Sequence, residues 1–233
     1  MFLQEKEQKA DCCAVIVAAG TSSRMGFSKQ EVPVLGIPAL EYCLYAFEKA
    51  PRVGAIVVVC PTGKQEFYEK WLLPKSHKPL LIIQGGDTRQ QSAQKGVEAS
   101  PDYPLVAVHD GARILITPQE IQHAISDAEK YGASALAVPV KDTIKIVDES
   151  GLVLGTPQRN TLWAVQTPQV FRRKQYLEFL KEADGEDTDD CQLFEKAGEK
   201  VHLCRGSYTN FKLTTPEDLE FAEVILKKRE ENR

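Results

Sequence analysis

Small residues and fixed positive charges lie close together near the start of the chain. An apolar run is followed by Ala18-Ala19-Gly20, a string of small polar residues, and then Arg24 and Lys29. Small side chains let backbone N–H groups approach a phosphate chain, and guanidinium and ammonium groups suit phosphate oxygens. The stretch predicts a polyphosphate-binding loop, although an ordinary turn fits these letters about equally well. Neither GxxxxGK[ST] nor GxGxxG occurs in the chain.

Other candidate residues follow apolar runs further along. Asp110 comes directly after such a run, where a parallel strand would end, so its carboxylate can accept hydrogen bonds from sugar hydroxyls or support a metal ion. A capping role for Asp110 is about as compatible with the local sequence, and the same ambiguity holds for Asp87. We expect His109 to pack within the sheet, and the acidic stretch 185–190 to cap a helix.

Composition excludes several classes of protein. The 233 residues are 42% hydrophobic, enough for a full core, and the formal net charge of -4 leaves no general basic field for a nucleic acid. The chain shows no secretory signal pattern and no apolar run of membrane-spanning length. Six cysteines without CxxC spacing and four scattered histidines predict reduced core thiols and argue against a zinc site. We therefore expect a soluble cytoplasmic protein with no nucleic-acid or membrane partner.

The candidate residues must be positioned by alternating strands and helices. Apolar runs rich in β-branched residues occur at 12–19, 54–60, 79–84, 104–110 and 134–140. Segments of helical period occur between them, at 38–50, 65–72, 88–100 and 117–132. This alternation predicts an α/β fold, a single Rossmann-like domain over residues 1–233 with a mostly parallel twisted sheet and helices on both faces.

Two further local signals concern the second half of the chain. Residues 141–166 alternate apolar and polar side chains around a Glu-Ser-Gly turn, which predicts a projecting antiparallel β-arm. An arm too small to bury itself usually packs on a partner chain, so we expect it to serve dimerisation. Thr117-Pro118 and Thr215-Pro216, each followed by an acid, predict two helix starts with a threonine cap.

Several dispersed motifs together resemble a known family. In order, they are AAGTSSRMG…SKQ, GGDTRQQS, VHDGAR, VKDTIK, LWAVQTPQVF, DTDD and TNFKLTTPEDL. Their order and spacing resemble those of the 2-C-methyl-D-erythritol 4-phosphate cytidylyltransferases, over nearly the whole chain from Ala14 onward. The resemblance implies a homodimeric enzyme that uses CTP and Mg²⁺ to form a CDP-linked methylerythritol and pyrophosphate in the non-mevalonate isoprenoid pathway.

The resemblance also implies roles for individual residues. The catalytic residues would be Arg24, Lys29 and Lys212. The nucleotide-binding residues would be Ala18, Ala19, Gly20, Gly86, Asp87, Ser92, Asp110 and Gly111. The residues for the second substrate would be Asp110, Arg113, Thr143, Arg159, Thr167 and Lys212, with the two arm residues Thr143 and Arg159 acting in the partner's site. The Mg²⁺ would be held mainly by the CTP phosphates, and its protein ligands are left open.

Departures from the family pattern keep alternatives open. Ser22 stands where the family usually has a second glycine, and Gly111 and Ile114 replace the more usual Ala and Pro. A ribitol 5-phosphate cytidylyltransferase is the nearest alternative, with the same fold and chemistry. A nucleotide-sugar glycosyltransferase would need an Asp-x-Asp after a mid-chain strand, where VHDGAR supplies one acid. A noncatalytic nucleotide-binding or dimerisation module is the alternative from another class.

Overall fold

The central strands are apolar on both faces, so they lie inside a covered sheet. The computed structural model describes residues 9–20, 28–182 and 187–232. All six residues of Cys12–Val17 are buried. Cys12, Ala14 and Ile16 pack into one hydrophobic core, and the residues that alternate with them pack into a second core on the other face.

The strands and helices alternate through most of the chain. The strands are β1 Cys12–Val17, β2 Pro33–Val34, β3 Ile37–Pro38, β4 Val53–Cys60, β5 Leu80–Gln84, β6 Leu105–Asp110, β7 Ala133–Pro139, β8 Ile146–Val147, β9 Val153–Gly155, β10 Trp163–Arg172 and β11 His202–Arg205. The helices are α1 Ala39–Lys49, α2 Gln65–Leu72, α3 Arg89–Ala99, α4 Pro118–Tyr131, α5 Arg173–Phe179, α6 Asp190–Lys196 and α7 Glu217–Glu231. Short 3₁₀ turns occur at Leu73–Lys75, Arg159–Thr161 and Leu180–Glu182.

Seven strands form one twisted sheet in the order β11-β7-β10-β6-β1-β4-β5. Every neighbouring pair is parallel except the two that involve β10, which is antiparallel to both β6 and β7. The predicted α/β class and mostly parallel sheet are confirmed. The apolar runs at 12–19, 54–60, 79–84, 104–110 and 134–140 correspond to β1, β4, β5, β6 and β7.

Helices cover both faces of the sheet, as predicted. Leu40 and Phe47 of α1 and Ile121 of α4 pack into the first core. Val97 of α3 and Tyr176 of α5 pack into the second core. Both faces of the sheet are covered by apolar cores. An open site can therefore form beyond the ends of the strands, where the loops that follow several strands meet.

The predicted arm is present as a short antiparallel hairpin of β8 and β9. Leu152 and Leu154 at its tip are each 68% exposed, so the hairpin stands away from the rest of the chain. It ends before the predicted boundary at residue 166, because Trp163 already pairs with Pro139 in the main sheet. The apolar–polar alternation continues from the hairpin into β10, so the sequence pattern does not show where the arm ends and β10 begins.

One of the two predicted helix caps is confirmed and the other is wrong. The Thr117 side chain accepts a hydrogen bond from the Glu120 N–H, and the Glu120 carboxylate accepts one from the Thr117 N–H, which completes a capping box for α4. Thr215 does not cap α7, which begins later. Instead the Asp218 carboxylate accepts the N–H groups of Thr214 and Thr215, at 2.6 and 2.8 Å.

Two compositional predictions can be compared with the structure. All six cysteines are free and buried, as the prediction of reduced core thiols required. Burial raises the pKa of the Cys13 thiol to about 12, so this thiol is an unreactive core group at neutral pH. Among the described residues, no helix is both long and apolar enough to cross a membrane.

Candidate active site

An open cleft of about 590 Å³ lies beyond the carboxyl ends of β1, β4, β5 and β6. Each of these four strands contributes the residues that follow it, as expected for a ligand site in an open α/β sheet. The cleft is lined by Val17, Ala19, Gly20, Lys29, Gln30, Pro61, Thr62, Gly86, Asp87, Thr88, Arg89, Ser92, Asp110, Ala112 and Lys212. Eight of the residues predicted from the sequence are therefore brought together: Ala19, Gly20, Lys29, Gly86, Asp87, Ser92, Asp110 and Lys212.

Asp110, the last residue of β6, is surrounded by three cationic side chains. Its Oδ1 lies 3.1 Å from Nε of Arg89, and its Oδ2 lies 3.0 Å from Nζ of Lys212. Nε of Arg113 is 3.6 Å from the same Oδ2. One carboxylate thus gathers three cations at the edge of the cleft, and the group as a whole carries a positive charge suited to an anionic ligand.

The cations determine the ionisation of Asp110. Burial alone would raise the pKa of this carboxyl, but Arg89, Lys212 and Arg113 lower its pKa far below the usual range. The side chain is therefore ionised at any physiological pH. An anion held so firmly has little affinity for a proton, so Asp110 acts as an anchor for cations rather than as a general base.

Lys29 lines the cleft from the segment that precedes β2. Its side chain is buried, and its Nζ donates a hydrogen bond to the carbonyl of Leu213 at 2.9 Å. The Leu213 N–H in turn donates to the carbonyl of Ala112 at 2.8 Å. These bonds connect Lys29 to the segment that carries Lys212 and to the turn after β6, so the two predicted catalytic lysines are held at the same cleft.

The Gly85–Ser92 loop after β5 is held in shape by its own side chains. Ser92 Oγ accepts the Gly86 N–H at 3.0 Å, and Thr88 caps α3 by accepting the Gln91 N–H at 3.1 Å. Gly85 has no room for a side chain, because a β-carbon there would overlap Ala19 Cβ and lie 2.7 Å from Ser92 Oγ. The loop therefore packs directly against the small residues that follow β1.

Other predicted residues support the cleft wall. Ala18 and Gly111 are buried beneath it, and their N–H groups donate to the carbonyls of Val59 and Val17. Arg113 is fastened by an Nη1 hydrogen bond to the carbonyl of Asn210 at 2.9 Å. Thr167 of β10 is buried, and its Oγ1 accepts the Asp110 N–H at 3.0 Å.

Three predicted residues are not brought to this cleft by the described part of the chain. Thr143 and Arg159 are exposed on the arm side and are not among the cleft residues, and Arg159 Nη1 donates to the carbonyl of Lys141. Arg24 lies within 21–27, outside the described residues, as does Ser22. The roles of these three residues, like those of the other predicted site residues, stay predictions.

Sequence reasoning missed the partnership of Arg89 with Asp190. Nη1 of Arg89 is 2.6 Å from Oδ2 of Asp190, whose carboxylate also accepts the Tyr176 hydroxyl at 2.6 Å. Asp190 is the first residue of α6, and Asp189 before it caps that helix by accepting the Gln192 N–H. The acidic stretch was predicted to cap a helix, which is confirmed, but a single sequence contains no signal that pairs Asp190 with an arginine 101 residues away.

Comparison with known proteins identifies the family. A family model described as 2-C-methyl-D-erythritol 4-phosphate cytidylyltransferase matches residues 12–228. The chain belongs to this family. The resemblance inferred from the dispersed motifs is thus confirmed over nearly its whole length.

Relatives and solved structures of the methylerythritol phosphate cytidylyltransferase family agree with the match. A protein of that name from Desulforamulus reducens is 44% identical over 224 residues, which cover 93% of this chain and 96% of the relative. One from Caldanaerobacter subterraneus is 44% identical over 223 residues, covering 92% and 98%. The crystal structure of 4-diphosphocytidyl-2C-methyl-D-erythritol synthase from Anaerococcus prevotii superposes with a TM-score of 0.84 at 32% identity, covering 94% of this chain and 99% of that one.

Proposed function

We propose that this protein carries out its family's reaction in the cleft beyond β1, β4, β5 and β6: the transfer of CMP from CTP to 2-C-methyl-D-erythritol 4-phosphate, with release of pyrophosphate. The observation that carries the proposal is the group of cations that Asp110 and the Leu213 segment gather around one open cleft. The match of the family model over residues 12–228 supports the choice of substrates.

The reaction needs positive charge more than it needs a base. A phosphate oxygen of the polyol attacks the α-phosphorus of CTP, and pyrophosphate leaves in line. Because that nucleophile is already an anion, the barrier comes mainly from bringing two anions together and from charge that shifts onto the leaving group. An ionised Asp110 that serves as an anchor for cations fits this requirement.

Three cationic side chains would supply this positive charge. Lys29 and Lys212 act as point charges toward the α-phosphate, since their side chains enter the cleft from two different segments. Arg24, which lies outside the described residues, would neutralise the leaving pyrophosphate. The backbone of Ala19 and Gly20, with Gly86, Asp87 and Ser92 of the β5 loop, would bind the nucleotide. Ala18 and Gly111 would support this backbone from beneath, because their own N–H groups are used in bonds to Val59 and Val17.

The donor set of the cleft fits a magnesium ion that is held mainly by the nucleotide. Among the described residues, no group of three or more His, Cys, Asp or Glu side chains could hold a metal ion. Asp110 is engaged by three cations, and Asp87 is the other carboxylate that lines the cleft. Mg²⁺ commonly keeps waters and substrate phosphates as ligands, with one or two carboxylates. When bound, it would neutralise phosphate charge in the transition state.

The polyol phosphate would bind on the side of Asp110 that faces Arg113, Thr167 and Lys212. Thr143 and Arg159 would complete that pocket from the arm of a second copy. The arm supports a homodimer, because the leucines near its tip are exposed in a single chain and a partner chain could cover them.

The six buried free thiols support a reducing compartment, and we propose the cytoplasm.

The alternative functions have less support. The relatives compared above are named for methylerythritol phosphate, which favours that acceptor over ribitol 5-phosphate. A glycosyltransferase would need a second acid beside Asp110, and cationic residues occupy that neighbourhood instead. The match to a family of enzymes over residues 12–228 favours a catalyst over a noncatalytic nucleotide-binding or dimerisation module.

The test is pyrophosphate release from CTP and Mg²⁺ by the purified protein. Methylerythritol 4-phosphate is offered in one reaction and ribitol 5-phosphate in another, with the Lys212→Ala variant as the negative control. Release with methylerythritol 4-phosphate alone supports the proposal. Release with ribitol 5-phosphate would retain the mechanism and replace the substrate, and no release with either would overturn the assignment.

A further inference from the structure

His109 is a fully buried histidine that the proposed reaction does not use. It is the penultimate residue of β6, directly before Asp110, and it is 0% exposed. The ring of Phe47 on α1 packs against it edge to face, with the ring centroids 5.2 Å apart. A histidine kept in such a place needs partners for both ring nitrogens, because an unpaired buried polar group is costly.

Both ring nitrogens of His109 contact residues that also hydrogen-bond to the backbone of Asp110. His109 Nε2 lies 3.2 Å from the carbonyl oxygen of Arg113, and Nδ1 lies 3.0 Å from Oγ1 of Thr167. The same Oγ1 accepts the N–H of Asp110 at 3.0 Å. The Arg113 N–H donates to the Asp110 carbonyl at 2.9 Å, so Asp110 and Arg113 are the two ends of one tight turn.

These contacts determine where the protons lie. A carbonyl oxygen can only accept, so Nε2 must carry the proton that it donates to Arg113. In a neutral ring Nδ1 is then an acceptor, and the Thr167 hydroxyl must donate its proton to it. The resulting chain of donors runs from the Asp110 N–H to Thr167, from the Thr167 hydroxyl to His109, and from His109 Nε2–H to the Arg113 carbonyl.

We infer that His109 is a positioning residue: in its neutral Nε2–H form, and together with Thr167, it fixes both ends of the Asp110–Arg113 turn and so aims the carboxylate and guanidinium that face the substrates. The inference rests on the proposed function for the roles of those two side chains. It changes the role of Thr167, whose single hydroxyl proton is committed to His109. Thr167 thus positions Asp110, and its hydroxyl cannot also donate a hydrogen bond to a phosphate oxygen of the substrate.

The surroundings of the ring favour the neutral form. Burial is the main cause that lowers the pKa of His109 to about 4, with the neighbouring Arg113 adding to the effect and Asp110 opposing it. Two further polar neighbours of the ring are the Thr167 backbone and the Cys43 thiol of α1, whose Sγ lies 3.9 Å from Nε2. Cys43 Sγ also lies 3.6 Å from the Gly111 carbonyl, so the side chain of α1 closes the same turn from the other side.

The first test needs only the parent protein. Long-range ¹H–¹⁵N correlation of the histidine rings at pH 7 should show His109 as a neutral ring with its proton on Nε2, assigned by its loss in His109→Asn. A proton on Nδ1, or an imidazolium at pH 7, would overturn the inference. This readout does not depend on activity, so it separates failure of the inference from failure of the proposed function.

The second test is a double-mutant cycle on pyrophosphate release. His109→Leu and Thr167→Val should each lower kcat by about tenfold to a hundredfold and raise KM for the polyol phosphate more than KM for CTP, because a small misplacement of reacting groups has effects of that size. Together they should cost little more than either alone. Losses that multiply, or a His109→Leu enzyme with parental kcat and KM, would contradict the inference.

His109→Asn supplies a graded variant, and His123 supplies the matched control. The asparagine Oδ1 can replace Nδ1 as acceptor for Thr167 while the bond to Arg113 is lost, so this enzyme should lie between the parent and His109→Leu. If it is no better than His109→Leu, the Thr167 bond has no part in positioning. His123→Leu removes an exposed histidine of α4 and should leave the kinetic constants unchanged.

Discussion

The Nε atom of Arg89 lies 3.1 Å from Oδ1 of Asp110, and the two residues come from different elements, the start of α3 and the end of β6. The other end of the guanidinium is held by Asp190, whose side chain is 1% exposed. One arginine therefore connects the cleft to the buried start of α6. Its loss should affect both the site and the fold.

Replacing Arg89 with methionine should destabilise the protein by about 3 kcal/mol, because it leaves the buried Asp190 carboxylate without its ion partner. The measurement is urea unfolding of the variant and the parent at pH 7. In Arg89→Met/Asp190→Asn the uncompensated charge is gone, so much of that loss should be recovered. If Arg89→Met is as stable as the parent, the hydrogen bond from the Tyr176 hydroxyl is enough to stabilise the buried Asp190 carboxylate.

Replacing Lys29 or Lys212 with alanine should lower the rate of pyrophosphate release by about a hundredfold or more, the usual cost of one well-placed charge. Both lysines line the cleft and have fixed partners, the Leu213 carbonyl and the Asp110 carboxylate. Lys70→Ala is the matched control, because this lysine of α2 is 76% exposed and pairs with Glu66 on the surface of the same helix. If the control loses as much activity as the two cleft variants, their assigned roles are wrong.

Two glycines should respond differently to alanine. At Gly85 a β-carbon would overlap Ala19 and crowd Ser92, so Gly85→Ala should lower the free energy of unfolding as well as CTP affinity. At Gly20 no described atom lies within 4 Å of the added carbon. Gly20→Ala should therefore leave stability unchanged and weaken only CTP binding, if the phosphate chain occupies that space. Calorimetric titration with CTP and urea unfolding distinguish the two cases, and unchanged CTP affinity in Gly20→Ala would remove Gly20 from the site.

The sequence predicted best those features that depend on neighbouring residues. Runs of buried residues located β1, β4 and β6, and the Thr117–Glu120 spacing located the start of α4. Features that depend on distant partners were missed. Nothing near Trp163 indicates that its strand inserts antiparallel between β6 and β7. The same holds for Arg89 and Asp190, whose meeting is decided by the packing of α3 against the second half of the chain.

The buried His109 should make stability fall as the pH is lowered from about 6.5 to about 4. Its pKa in the folded protein is about 4, against 6.5 for an ordinary histidine, so within this range the unfolded chain binds a proton that the folded chain refuses. The full loss would be about 3 kcal/mol. Below this window Asp110, whose pKa is lowered, adds a further loss as it becomes protonated in the unfolded chain.

The check on this pH dependence is the free energy of unfolding by urea at pH 7, 6, 5 and 4.5. The parent curve should bend downward below pH 6.5, and the difference between it and the His109→Leu curve isolates the histidine. Parallel curves for the two proteins over this range would contradict the assigned pKa of His109.

Mixing two inactive variants tests whether the arm acts in a partner's site. If Arg159 serves the neighbouring cleft, a heterodimer of Arg159→Ala and Lys212→Ala contains one site with both residues intact and one with neither. After subunit exchange, activity should recover to about a quarter of the parental level, since half of the dimers are mixed and each has one working site. If Arg159 acts in its own chain, or the protein is a monomer, every site lacks one of the two residues and mixing restores nothing. Leu154→Asp at the exposed arm tip should abolish the recovery by weakening the dimer, and gel filtration reports that dissociation directly.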